Sequence, residues 1–223
     1  MLQRNVAAYS RLSPERQREL HGHIQVLLAE KHFEGCGGLA LTDEMRVTIA
    51  AHAGLLMLGR EPQYYPGLVS ILVYPSSYRA PVSEPDDDGI VSEGHEERYG
   101  ESWDTGVVVL AWDTARHGSR DLGDGSNLIL HEFAHQLDTE DGSANGMPLF
   151  DRRQDGRGWA EALGAEYERL RERPDESILD EYGAEDPAEF FAVATEAFFE
   201  RPEDLREQHP ELYEQLSSYY RID

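Results

Sequence analysis

His131-Glu132-Phe133-Ala134-His135 restricts the fold of this chain more than any other stretch, because its chemistry works only on a helix. Residues four apart on a helix differ by about 40° in direction, so both imidazoles point the same way and can hold one ion. Glu132 stands about 100° round, beside such an ion and placed to handle protons. Two neutral imidazoles leave a catalytic zinc short of a third protein ligand, with one more position kept for water. The fold must therefore bring a distant donor to this helix.

The surrounding residues support a helix with one polar side. Leu128, His131, His135 and Asp138 fall on one face, while Ile129, Leu130, Phe133, Ala134 and Leu137 cover the other. Gly123-Asp124-Gly125-Ser126-Asn127 interrupts the chain just before it, and Ser126 is the expected N-cap. A histidine pair alone is more often satisfied by hydrogen bonds or bound to a structural ion. The intervening Glu132 and the apolar backing favour the catalytic reading.

Three carboxylates compete for the third ligand position. Asp141 is near enough in sequence, but short zinc proteases that use that position turn the chain with a glycine where Asp138 stands here. Glu189 and Glu196 lie on a later helix that opens with Asp186 as N-cap and Pro187 in the first turn. Glu189 also suits the reciprocal role of a capping box, which needs no metal. The two glutamates are seven apart on one stripe of a helix otherwise lined by Phe190, Phe191, Ala194, Ala197 and Phe198. Spacing alone does not choose between them.

His131-Glu132-Phe133-Ala134-His135-Gln136-Leu137-Asp138, followed by Asp186-Pro187-Ala188-Glu189 and Glu196-Ala197-Phe198-Phe199, resembles the Mlc titration factor A family of bacterial zinc metallopeptidases. That family is similar in its catalytic core to the anthrax lethal factor protease. In both, a glutamate from a later helix completes the zinc site, and a tyrosine seven residues earlier leans over the metal. The resemblance implies Zn2+ held by His131, His135 and Glu189, with Glu132 as general base and Tyr182 as auxiliary group. Glu196 would then stand behind the ligands. It further implies a peptide substrate and, as a partner, an Mlc-like transcriptional repressor. The match runs over roughly 40–215, including Gly106-Val107-Val108-Val109-Leu110-Ala111-Trp112-Asp113; the first 15 or so residues and the acidic stretch 81–98 lie outside it. Independently of the resemblance, Asp138 is expected to orient a histidine ligand, and strand 107–112 to lie beside the cleft and pair with substrate as sheet edges do.

The expected fold is α+β, zincin-like, mostly helical with a small mixed sheet. A length of 223 residues suits one domain, 1–223, with an N-terminal helical segment (1–40) and a catalytic core (41–223). A helix over 13–31 carries Leu20, Ile24, Leu27 and Leu28 on one stripe; Thr42 caps a second helix reaching about Leu58, with His52 packed inside it. Stretches 68–74 and 107–112 read as strands of one small sheet. Residues 81–102, with Pro85-Asp86-Asp87-Asp88-Gly89, read as an acidic exposed loop and not as a calcium site. His95 and His117 are expected in loops. Residues 144–158 look irregular, 159–173 read as a charged helix, and 204–219 as a closing helix.

Composition narrows the setting. No apolar run of membrane-spanning length and no leader are visible, and Cys36 is the single cysteine, so the expectation is a cytoplasmic protein without internal disulfides or membrane contact. A net charge of −24 repels phosphate backbones and argues against direct nucleic-acid binding. Lys31 is the only lysine among 20 basic residues, against 44 acidic ones, a balance suited to a high-salt cytoplasm that screens self-repulsion. Thermal melts across potassium chloride concentrations check this: the melting temperature is expected to rise from low to molar salt, and equal stability throughout would contradict it.

Overall fold

Helix capping and strand pairing account for most of the architecture of the computed structural model, which describes residues 1–85, 91–98, 100–103, 106–119, 125–150 and 153–222. The first elements are α1 (Leu2–Asn5), α2 (Pro14–Glu30), β1 (His32–Gly35), α3 (Asp43–Leu55) and β2 (Ser70–Tyr74). There follow β3 (Tyr78–Pro85), β4 (Val91–Arg98), β5 (Gly100–Trp103) and β6 (Val107–Ala111). Then come α4 (Trp112–Gly118), α5 (Leu128–Asp138), α6 (Arg153–Glu172), α7 (Pro187–Glu200), α8 (Pro202–Gln208) and α9 (Pro210–Tyr220).

The Ser13 side chain accepts the Arg16 amide and Pro14 opens α2, while Thr42 does the same for α3 through the Met45 amide. Leu20, Ile24 and Leu27 form the buried stripe of α2, and α3 lies against it. The approach is close: a Cβ at Gly54 would stand 2.9 Å from Leu20 Cδ1.

One mixed sheet runs in the order β1-β2-β6-β5. The first three strands are parallel, with His32 beside Ser70 and Ser70 beside Val107. β5 closes the sheet antiparallel to β6, Glu101 pairing with Val109. Ile71, Val73, Val108 and Leu110 are all buried. Lys31 steadies the approach to β2, its Nζ donating to the carbonyls of Tyr65 (2.9 Å) and Leu68 (2.8 Å). The molecule is thus helix-rich with a small mixed sheet, as expected of the α+β zincin-like class.

Several boundaries differ from the sequence reading. The helix expected to reach Leu58 ends at Leu55, the strand expected from 68 begins at Ser70, and Trp112 opens α4, which also contains His117. The stretch read as a loop over 81–102 holds most of an antiparallel hairpin, Tyr78 facing Arg98 and Val82 facing Gly94, and then β5. Backbone pairing tolerates the charged residues that suggested a loop. His95 is on β4, whereas Asp86 to Asp88 lie outside the described residues. α6 starts at Arg153, inside the stretch taken as irregular. The closing helix is two, because Pro210 has no N–H to continue α8. His209 at that break is 2% exposed and bonds Glu166 Oε2 at 2.6 Å and Ser177 Oγ at 3.2 Å, tying the break to α6. Among the described residues, no helix is long and apolar enough to cross a membrane.

His52 is packed inside α3 as expected, 1% exposed, its Nδ1–H donating to the Thr48 carbonyl at 2.9 Å. Burial pushes its pKa down to about 4, against the weaker opposing pull of that carbonyl. A base with a depressed folded pKa leaves stability intact above its ordinary unfolded value and removes it as the pH falls toward 4. Urea unfolding at pH 7 and pH 5 is expected to show a loss of about 2 kcal/mol from this group, absent in His52→Gln. The same pH dependence in both proteins would contradict it.

Candidate metal centre

The site is assembled where α5 meets α7. Helix α5 begins at Asn127, whose side-chain oxygen accepts the Leu130 amide at 3.2 Å, so the N-cap lies one residue beyond the expected Ser126. Ile129, Leu130, Phe133, Ala134 and Leu137 are buried, anchoring the helix in the core. Phe133 packs edge-on to Tyr65 with ring centres 4.9 Å apart. The remaining face presents His131 and His135 outward, half-buried.

Helix α7 starts as anticipated. The Asp186 carboxylate accepts the amides of Ala188 and Glu189, and Pro187 occupies the first turn. The Glu189 side chain reaches α5: its Oε2 stands 2.9 Å from His131 Nε2 and 3.4 Å from His135 Nε2. The two Nε2 atoms are 3.1 Å apart. Among the described residues, these three form the cluster able to hold a metal ion.

The donor chemistry fits a zinc ion. Tetrahedral zinc with ligand bonds of about 2.0–2.1 Å sets neighbouring donors about 3.3 Å apart, close to the separations seen here. The other ring nitrogen of His131, Nδ1, lies 2.7 Å from Glu196 Oε1, so the neutral imidazole donates there and turns its Nε2 lone pair inward. Lone pairs of three donors facing one another at such distances repel unless a cation lies among them. Without an ion, a proton takes its place: burial opposes charge on His131, but the carboxylates of Glu189 and Glu196 outweigh burial and hold its pKa well above the ordinary value. Burial likewise acts to raise the Glu189 pKa, yet the two histidines bring it down to about 2. The pocket favours positive charge at its centre.

Glu132 lies on the inner side of the cluster, 4% exposed, with its pKa pushed up to about 7 by burial against the pull of His131 and His135. Its neighbour is Gly100, which no motif in the sequence singles out. A Cβ at Gly100 would stand 2.2 Å from Glu132 Oε1 and 2.6 Å from Leu128 Cδ1, so β5 can pass here only because that position lacks a side chain. Tyr182, in the short 3-10 turn Glu181–Ala184, is 45% exposed, with its ring centre 5.9 Å from that of His131. Burial and then the Glu189 charge raise its pKa, keeping the phenol protonated.

Other candidates lie elsewhere. The Asp141 carboxylate accepts the Ser143 amide in the turn after α5 and is not part of the cluster. Asp138 is fully buried and accepts the Gly146 amide at 2.8 Å; the carboxylate bonded to His131 is Glu196. Strand β6, expected beside the cleft, lies between β2 and β5, which makes β5 the sheet edge nearest Glu132.

A family model described as glucose-regulated metallo-peptidase M90 matches residues 1–221, including the parts outside the motif-based resemblance. An uncharacterized protein of Synechocystis sp. is 42% identical over 219 residues, covering 96% of this chain and 80% of that protein. The Mlc titration factor A of Serratia proteamaculans is 37% identical over 221 residues, 95% of this chain and 83% of its own length. That of Pectobacterium atrosepticum is 37% identical over 218 residues, 95% and 81% of the two chains.

Proposed function

The chain belongs to the M90 family of glucose-regulated metallopeptidases, and on that premise we propose that it hydrolyses peptide bonds with one zinc ion held by His131, His135 and Glu189. The observation that carries this reading is the convergence of the three donor atoms within 3.4 Å, with the Glu132 carboxylate buried beside them. Zinc bound there supplies Lewis acidity toward water and the substrate carbonyl.

The chain's own groups do the rest. The Glu132 carboxylate takes a proton from the attacking water and passes it to the leaving amine. The Tyr182 hydroxyl donates a hydrogen bond to the oxygen that gathers charge as the carbonyl becomes tetrahedral. An extended peptide pairs along the outer edge of β5, the last strand of the sheet among the described residues, and Gly100 lets that strand lie against Glu132 without displacing it. The acidic composition and single cysteine support a cytoplasmic setting.

A second reading rests on the relatives named Mlc titration factor A. It holds that the protein captures an Mlc-like transcriptional repressor, with the metal site secondary. Capture of such a repressor by a folded His131→Ala/His135→Ala protein would favour it over hydrolysis.

The test of the peptidase reading is Glu132→Gln assayed for metal content and peptide cleavage together. Zinc is expected to remain at one ion per chain while turnover falls by about 10²- to 10⁴-fold. Cleavage at the native rate would show that Glu132 is not the base. Tyr182→Phe and Gly100→Ala are both expected to slow cleavage while sparing metal content, the first through the lost hydrogen bond and the second by pushing Glu132 aside.

A further inference from the structure

Resting on the zinc reading above, we infer that Glu196 is a positioning residue that clamps His131 and the start of α5 at once, so that α7 sets the metal site's geometry from two points along its length. Glu189 and Glu196 are seven residues apart, which on a helix is about 10.5 Å of rise and nearly the same direction. Both carboxylates therefore face α5, and the His131 ring lies between them. Glu189 Oε2 is 2.9 Å from its Nε2, and Glu196 Oε1 is 2.7 Å from its Nδ1. The second oxygen of Glu196 accepts the backbone amide of Asn127, the N-cap of α5.

Asn127 completes the lock. It is fully buried; its side-chain oxygen caps α5, and its Nδ2 donates to Glu200 Oε1 at 2.8 Å, one turn further along α7. The one Asn127 side chain thus both caps α5 and reaches α7. Glu196 is 6% exposed, so its bonds are shielded from competing water and hold the ring firmly. By accepting the Nδ1–H hydrogen bond it leaves the Nε2 lone pair for the metal, and by gripping the Asn127 amide it keeps α5 from sliding relative to Glu189.

Zinc affinity measured by chelator competition tests this, alongside unfolding of the metal-free proteins. Glu196→Gln keeps one acceptor oxygen and cannot receive both donors, whereas Glu196→Met receives neither. Affinity is expected to fall by about 10-fold in the first and about 100-fold in the second. The downfield Nδ1 proton resonance of His131, present in zinc-loaded wild type, is expected to vanish in Glu196→Met. A purely structural role would lower the melting temperature and leave zinc affinity within about twofold of wild type, overturning the proposal. If Glu196→Met does not fold, Glu196→Gln decides by the same criterion. Glu189→Ala is the control: affinity lost there but kept in the Glu196 variants sinks the clamp alone, and affinity kept in Glu189→Ala removes the metal reading and the clamp with it.

Discussion

The seating of α7 against α5 is the contact on which the rest of the molecule depends. Neither helix carries a complete site: α5 offers two imidazoles and a buried glutamate, and α7 offers the carboxylate that faces them. The core around that contact is mostly apolar. Phe133 and Ala134 on α5, and Phe190, Phe191, Ala194 and Ala197 on α7, are almost wholly withdrawn from water. Trp159 of α6 packs edge-on to Phe191 with ring centres 5.5 Å apart, extending the same core. Burial of these side chains supplies the driving force, and it also lowers the local dielectric in which the charged groups work.

That low dielectric makes the polar layer exacting. A buried carboxylate without a partner is costly, so the glutamates of α7 stand where α5 can meet them. Glu189 meets the paired imidazoles, Glu196 meets His131 and the Asn127 amide, and Glu200 meets the Asn127 side chain. The charged exterior follows a different rule. Pairs such as Arg157 with Glu161 are largely exposed and contribute little individually. Lys31, the one lysine, bonds two backbone carbonyls beside the sheet. Its place in the fold is structural.

How much of this was legible in the sequence depended on whether the deciding interaction was local. The helices bearing the site could be read because their signals are written into adjacent residues: a 3.6-residue apolar stripe in α5, and Asp186-Pro187 at the start of α7. His52 was recognisable as a packed residue for the same reason. The cap of α5 lies one residue from the expected Ser126; both residues are good caps, and the bond that ties Asn127 to Glu200, 73 residues away, is not written in the local sequence. Glu189 and Glu196 could not be told apart by spacing, since they share a stripe and only the tertiary contact sends one to Nε2 and the other to Nδ1. The hairpin and β5 were hidden by charged composition, and the importance of Gly100 arises wholly from the approach of another element.

The central claim is that three side chains from two helices enclose one zinc ion and leave a position for solvent. Anomalous diffraction at the zinc absorption edge, from crystals of the zinc-loaded protein, measures this directly. The account predicts a single strong peak bonded to His131 Nε2, His135 Nε2 and one oxygen of Glu189, with a water as the fourth ligand. A peak elsewhere, or an ion closed off by a fourth protein ligand, would contradict it.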